Sequence, residues 1–400
     1  MNARLSGLQS YPFQKLAALL QGIAPPKDKP LIRLSIGEPQ HAAPAFVLEA
    51  LTRNLAGLSH YPLTKGLPEL RQALADWANR RFALDRQPLD PERHVLPVAG
   101  TREALFSIAQ AAIDTQVRTS PAVVMPNPFY QIYEGAALLA GARPHFVNTV
   151  EENRYHMDFA QVPDDVWRRT QLLYLCSPGN PTGAVLGHHD FARAIELSQR
   201  YGFVIASDEC YSEIYFEEDD PPIGLLQVAH AMGIKDYKHC LVFHSLSKRS
   251  NLPGLRSGFV AGDPVALNTF LQYRTYHGCA LPPPTQMASI AAWNDEAHVR
   301  ANRDQYRAKF QAVLETLGPV LDTRQPEAGF YLWPRTPQDD LTFTRELYAR
   351  EHVLVLPGSY LAREADGINP GADRVRMALV ASLDECVDAA RRIRRYIESL

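Results

Sequence analysis

The chain has 400 residues, of which 46% are hydrophobic and 21% charged, enough for a sizeable core spread over two or three domains; this excludes a disordered tail or a small stapled module. Its 41 basic and 44 acidic residues leave a net charge of −3 with no basic block, so the sequence offers no electrostatic footprint for nucleic acid or an anionic membrane. Five cysteines without a Cys-x-x-Cys pair, no secretory layout near the start and no apolar run of about 18 residues together predict a soluble cytoplasmic protein with reduced thiols.

Along the chain, short and nearly continuous apolar runs recur at Val95–Val98, Ala122–Met125, Leu172–Cys176, Phe203–Ser207, Cys240–His244 and Gly258–Ala261. Segments of helical period separate them, such as Thr101–Ile113, Phe129–Leu139 and Asp190–Tyr201. Runs of this kind predict parallel strands buried on both faces in a doubly wound α/β layout. After about residue 285 a long helical region reaches Leu317. Strands near Gly329–Trp333, Val353–Leu356 and Arg374–Val380 then alternate with helices, ending in Leu383–Ser399. The predicted organisation is an arm over 1–40, a large domain over 41–285 and a smaller α/β domain over 286–400.

In open parallel sheets ligands sit at the carboxyl ends of strands. After Val95–Val98 come Gly100, Thr101 and Arg102, a turn into a helix whose free N–H groups could hold an anion or could be plain helix punctuation. After Leu172–Cys176 the stretch Ser177-Pro178-Gly179-Asn180-Pro181-Thr182-Gly183 fixes an unusual backbone and could present the Asn180 amide. Asp208, ending the next run, is either a helix cap or a buried carboxylate awaiting a cation or a protonated ring nitrogen. Of only eight lysines, Lys248 alone follows a buried-strand pattern, in Ser245-Leu246-Ser247-Lys248. Burial there would lower its pKa and make the amine nucleophilic.

Together these residues supply what pyridoxal phosphate requires: an amine for the aldehyde, an acid for the pyridine nitrogen, donors for the phenolic oxygen, and cationic or hydroxyl partners for the phosphate. No Gly-x-Gly-x-x-Gly, Walker loop, Gly-x-Ser-x-Gly elbow or His-Glu-x-x-His is present, and no metal site is expected from the histidine spacing.

The Asn-Pro-Thr-Gly stretch at 180–183, Asp-x-x-Tyr at 208–211 and Ser-x-Ser-Lys-x(7)-Arg at 245–256 resemble, in order and spacing, the class I/II aminotransferases of fold type I. Ser35–Pro39 and Val375–Leu379 extend the likeness over nearly the whole chain. The resemblance implies a large domain with a mostly parallel seven-stranded sheet between helices, and a smaller α/β domain. It implies pyridoxal 5′-phosphate as cofactor, with Lys248 as the Schiff-base lysine that also shuttles a proton, and Asp208 on the pyridine nitrogen. Asn180 and Tyr211 would hold the phenolic oxygen, and Ser245, Arg256 and the Gly100–Arg102 turn the phosphate. Tyr130 would stack on the ring, Gly37 would lie against substrate, and the Met1–Pro39 arm would close over it. Arg376 would clamp the substrate carboxylate, with Arg374 as its rival. Tyr61 would reach the phosphate of a partner chain, implying a homodimer with shared sites.

Tyr11-Pro12-Phe13, Leu34–His41 and Pro126–Glu134 resemble more narrowly the bacterial N-succinyl-L,L-diaminopimelate aminotransferases of lysine biosynthesis. Gln40-His41 departs from the Asp-Phe of many relatives and agrees with this subgroup. Arg102 is the expected second cation for such a substrate's extra carboxylates. Aspartate or acetylornithine aminotransferases, a carbon–sulfur β-lyase and a catalytically silent regulator of the same fold remain the alternatives.

Overall fold

Twelve strands and the helices between them build the chain, which the computed structural model describes over residues 1–400. In chain order the strands are β1 Ile32–Arg33, β2 Val95–Val98, β3 Ala122–Asn127, β4 Arg143–Asn148, β5 Thr170–Cys176, β6 Val204–Asp208, β7 Cys240–Ser245, β8 Gly258–Gly262, β9 Tyr331–Leu332, β10 Val353–Leu354, β11 Leu356–Pro357 and β12 Val375–Ala378. Seven of them form one sheet in the order β2-β8-β7-β6-β5-β3-β4. The apolar runs of the sequence supply six of these, and each is buried along nearly its full length, as strands covered on both faces must be.

Two features depart from the expected layout. β8 runs antiparallel to both neighbours. The connection before it, residues 246–257, stays at the carboxyl edge of the sheet, where it carries Lys248, and does not cross back over a face as a parallel return would require. The edge strand β4 is the seventh member, and its Arg-Pro-His-Phe-Val-Asn sequence is only partly buried, so no apolar run announces it.

Helices begin where side chains or proline suit a first turn. Asp263 accepts from Val265 and Ala266 N–H ahead of helix Pro264–His277, and Ser382 with Glu385 caps helix Leu383–Glu398 reciprocally. One core of 41 buried residues and another of 21 cover the large sheet. Within the former, Trp77 meets Trp293 at 4.6 Å and His244 at 5.1 Å between centroids.

A separate core of 27 residues lies under helices Ala297–Leu317 and Leu383–Glu398 and the three-stranded antiparallel sheet β11-β12-β9. Ile32 and Leu34 belong to it: β1 pairs in parallel with β10, and the Leu34 carbonyl accepts from Ala378 N–H at 2.7 Å. The boundary expected at residue 285 falls inside helix Pro283–Trp293, whose Ala288, Ala292 and Trp293 pack in the 41-residue core. The large core therefore extends to Trp293, and Asn294–Glu296 break the helical region expected to run on to Leu317. No helix is long and apolar enough to cross a membrane.

Replacing the fully enclosed Trp77 by alanine should cost about 3–5 kcal/mol from the cavity it leaves. The check is an earlier urea-unfolding midpoint, by far-ultraviolet circular dichroism, than in the unaltered protein.

Candidate active site

The carboxyl ends of β2, β5, β6 and β7 open into one cavity of about 520 Å³. Lys248, in the short helix Leu246–Arg249, reaches it and donates from Nζ to the Gly37 carbonyl at 2.5 Å, above the Phe330 ring at 5.4 Å. Burial draws its amine down to about 8, opposed by Cys210 and assisted by the Arg376 cation. Gly37 has no room for a side chain, because a Cβ would overlap the hydroxyl of Tyr331.

Asp208 ends β6 as a buried carboxylate. It accepts from the Tyr133 hydroxyl at 2.7 Å and from Cys210 N–H at 3.3 Å. Burial raises its pKa, and those donors oppose the rise. No ion pair balances it, so a cationic N–H presented from the cavity would complete its surroundings. Tyr133, stacked on Tyr174 at 4.4 Å, was not anticipated from sequence. Its place three residues after Tyr130 in the predicted helical segment Phe129–Leu139 was the available signal, although the helix itself begins only at Ile132.

The turn into helix Thr101–Ala112 places Gly100 at φ 86°, where a Cβ would strike the Arg256 guanidinium. Arg256 is held by the Pro253 and Ala99 carbonyls at 2.8 and 3.4 Å. Thr101, Ser245, Ser247 and Arg256 face the cavity together. First-turn N–H groups, hydroxyls and a guanidinium make a cradle for a phosphate dianion. The Ser245 hydroxyl also accepts from Ser247 N–H at 3.0 Å, so it fixes the start of the lysine's helix.

Arg376, on β12, donates to Asn180 Oδ1 at 2.9 Å and to the Ser35 carbonyl at 2.8 Å, and lies 4.6 Å from the Tyr331 ring centroid. Its Nε is buried without a partner, leaving donors for a carboxylate. The bond to Arg376 uses the Asn180 oxygen and leaves its Nδ2 free to donate. Tyr211 and Tyr331 join hydroxyls at 2.9 Å. Arg102 donates from Nε to the Tyr130 hydroxyl at 2.6 Å. Tyr11, Phe13 and Glu38 of the N-terminal segment complete the wall.

Every site residue expected from sequence lines this cavity or abuts it, with two exceptions. Arg374 turns instead to Glu151 at 2.9 Å and the Trp333 carbonyl at 3.0 Å, beside a second cavity of about 300 Å³, and is no rival to Arg376. Tyr61 is fully exposed and lines a separate surface hollow with Leu58 and Pro62. Ser35, Tyr133 and Tyr331 were missed. The residues present fit pyridoxal phosphate: an amine of lowered pKa, an unbalanced buried carboxylate, a free amide donor and an anion cradle surround one space.

Known proteins resemble the chain along nearly its whole length. The family model for aminotransferase class I and II matches residues 29–393. An LL-diaminopimelate aminotransferase from Desulforudis audaxviator is 30% identical over 98% of this chain and 96% of its own length. The crystal structure of an aminotransferase from Neisseria meningitidis is 49% identical, with a TM-score of 0.94 over 98% of this chain and 99% of that one. A probable N-succinyldiaminopimelate aminotransferase from Thermus thermophilus is 28% identical, with a TM-score of 0.83 over 96% and 99%.

Tyr133→Phe removes a donor to a charged acceptor, a change of about 1.5–3 kcal/mol. The Asp208 carboxyl should then titrate still higher, and the dissociation constant for pyridoxal phosphate, read by equilibrium dialysis, should rise about 10- to 100-fold.

Proposed function

The chain belongs to the class I and II aminotransferases, which use pyridoxal phosphate to move an amino group between amino and 2-oxo acids, and we propose that it acts on N-succinyl-L,L-diaminopimelate with 2-oxoglutarate as the amino acceptor. The observation that carries this reading is a pair of guanidinium groups from different elements in the Lys248 cavity, Arg376 from β12 and Arg102 from helix Thr101–Ala112. One suits the carboxylate every amino acid carries. The other suits the extra carboxylates of a succinylated dicarboxylic amine. The likeness to the Thermus thermophilus protein supports the same choice.

Bound pyridoxal phosphate supplies the electron sink that stabilises negative charge at the substrate Cα. The chain's own residues do the rest. Arg376 takes the α-carboxylate through its spare N–H groups and orients the Cα–H bond. Lys248 Nζ would take the proton from the substrate Cα and deliver it two atoms along, to the carbon that carried the cofactor's aldehyde, a task suited to an amine drawn down to about 8. Asp208 would hold the proton of the pyridine nitrogen, and Asn180 Nδ2 and the Tyr211 hydroxyl would hold the phenolic oxygen. Tyr130 covers the ring face, and Gly37 lets the main chain lie against the substrate.

Unmodified LL-diaminopimelate is the second reading. The curated relatives bear that name, and Glu38 on the cavity wall could take a distal ammonium. We propose further that the active unit is a homodimer, because Tyr61 stands fully exposed among exposed Leu58 and Leu63, as a side chain serving a partner's phosphate site would before assembly, and that it works in the cytoplasm, which suits five free cysteines.

The deciding assay compares kcat/KM of the purified enzyme for N-succinyl-L,L-diaminopimelate, LL-diaminopimelate, N-acetylornithine, aspartate and cystathionine. The succinylated amine should lead by on the order of tenfold or more, one good charge-assisted contact. An equal or better rate with LL-diaminopimelate moves the assignment to the second reading, and pyruvate release from cystathionine without an acceptor makes it a lyase. Arg102→Ala should lower kcat/KM for the succinylated donor about 10- to 100-fold while leaving alanine within about threefold. Arg376→Lys should depress all donors alike, because an ammonium cannot reproduce the guanidinium fork.

A further inference from the structure

Three side chains that this chemistry does not use connect the main chain of Lys248 to the end of the Arg376 strand. Asn302, buried on helix Ala297–Leu317, donates from Nδ2 to the carbonyl oxygens of Lys248 at 3.2 Å and Arg249 at 3.4 Å. Its Oδ1 accepts from Asn251 Nδ2 at 2.9 Å and lies 2.7 Å from His41 Nδ1. Two carbonyls face the nitrogen of Asn302, so its oxygen is the acceptor, and His41 must carry a proton on Nδ1. In neutral histidine Nε2 is then a lone pair. It meets Lys309 Nζ, which donates to it and to the Val380 carbonyl at 3.3 Å. Val380 lies just beyond β12, four residues after Arg376.

Lys309 is buried and makes no ion pair. An ammonium in such a place lowers stability relative to an apolar side chain of the same size, so packing alone does not account for it. The charged and titratable groups around it are few: Tyr306, whose ring centroid is 5.2 Å from Nζ and 4.7 Å from that of His41, and Glu385 and Cys386 of helix Leu383–Glu398. Burial draws the Lys309 amine to about 8. It also pushes His41 down, with Lys309 adding to the effect against the Asn302 bond. Near neutral pH His41 is uncharged and Lys309 is the donor, so each bond in the chain has one donor and one acceptor. Protonating His41 in acid would set two cations face to face.

His41 follows Gly37 by four residues. The segment from 35 to 41 therefore touches Lys248 twice, through the Gly37 carbonyl at its amine and through His41 and Asn302 at its main chain, while Ser35 holds Arg376.

We infer that His41, Asn302 and Lys309 are positioning residues for Lys248, tying the helix end that carries it to the end of the strand that carries Arg376. The network sets the distance over which the amine must reach Cα while the substrate carboxylate stays clamped, a geometry in which about 1 Å of error lowers the rate on the order of a hundredfold.

The inference rests on Lys248 being the lysine that bonds the cofactor, and Lys248→Ala tests that separately by abolishing the visible band of the lysine-bound cofactor. Two variants, Lys309→Met and His41→Phe, then test the network in the holoenzyme. In both, amide hydrogen exchange over residues 246–252 should accelerate about tenfold with β5 unchanged. The pH midpoint of the visible band should move by about half a unit or more, a shift in Lys248's surroundings that lost packing elsewhere does not produce. Should Lys309→Met fail to fold, His41→Phe decides alone, since it exchanges one half-buried ring for another. Unaltered exchange and midpoint in the folded variants would overturn the inference, as would a lower melting temperature with both readouts unchanged.

Discussion

The contact on which the rest of the structure turns is that of the Lys248 amine with the main-chain carbonyl of Gly37. An amine near the end of a buried strand is drawn towards neutrality by its surroundings, and a carbonyl gives it a partner without adding a counter-charge that would hold it protonated. For the carbonyl to come so close, residue 37 must lack a side chain, because Tyr331 already occupies that space. For the segment to stay there it must be anchored, and Ile32 and Leu34 anchor it in the smaller core through β10 and the end of β12. One hydrogen bond thus requires the two ends of the chain to share a core and to face the edge of the large sheet.

The electrostatics of the cavity follow from the same geometry. The carboxyl ends of β5, β6 and β7 carry an amide, a carboxylate and a hydroxyl, while guanidinium groups arrive from elsewhere: Arg256 from the return loop, Arg102 from the first turn of a helix, and Arg376 from the smaller sheet. A chain of net charge −3 thereby gathers cations around the cavity, and leaves the buried Asp208 carboxylate with only neutral donors. That separation leaves the acid free for a cation presented from the cavity instead of losing it to a salt bridge.

What was legible in the sequence follows the same physics. Strands covered on both faces advertise themselves as apolar runs, so β2, β3, β5, β6, β7 and β8 could be read, as could the polar residues at their ends. The direction of β8 could not, because direction depends on where its connection travels and not on its composition. β4 was illegible because an edge strand is half covered. Arg374 and Arg376 share the alternation of one strand and look alike in sequence; only the tertiary placement of Glu151 separates them. Ser35 and Tyr331 contribute through contacts between residues 341 and 120 positions apart, and no local pattern encodes such a meeting. Tyr133 was readable through its three-residue step from Tyr130, yet its role depends on Asp208 and on the stacked Tyr174.

Helix Thr101–Ala112 shows how such a site can hold its cofactor constant and vary its substrate. The main-chain N–H groups of the first turn face the cradle whatever side chains they carry, so phosphate recognition there is indifferent to sequence apart from Gly100, which must make room for Arg256. The side chain of Arg102 leaves the same turn towards Tyr130 and the substrate space. On the proposed reading, cofactor binding and distal-carboxylate recognition occupy one turn but use different atoms. A substitution at 102 changes the second with little effect on the first, whereas a side chain at 100 displaces Arg256 and strains a backbone at φ 86°. On that reading substrate preference would fall to side chains at the cavity wall, Arg102 and Glu38 among them, while Lys248, Asp208 and Gly37 are bound by packing to a single arrangement.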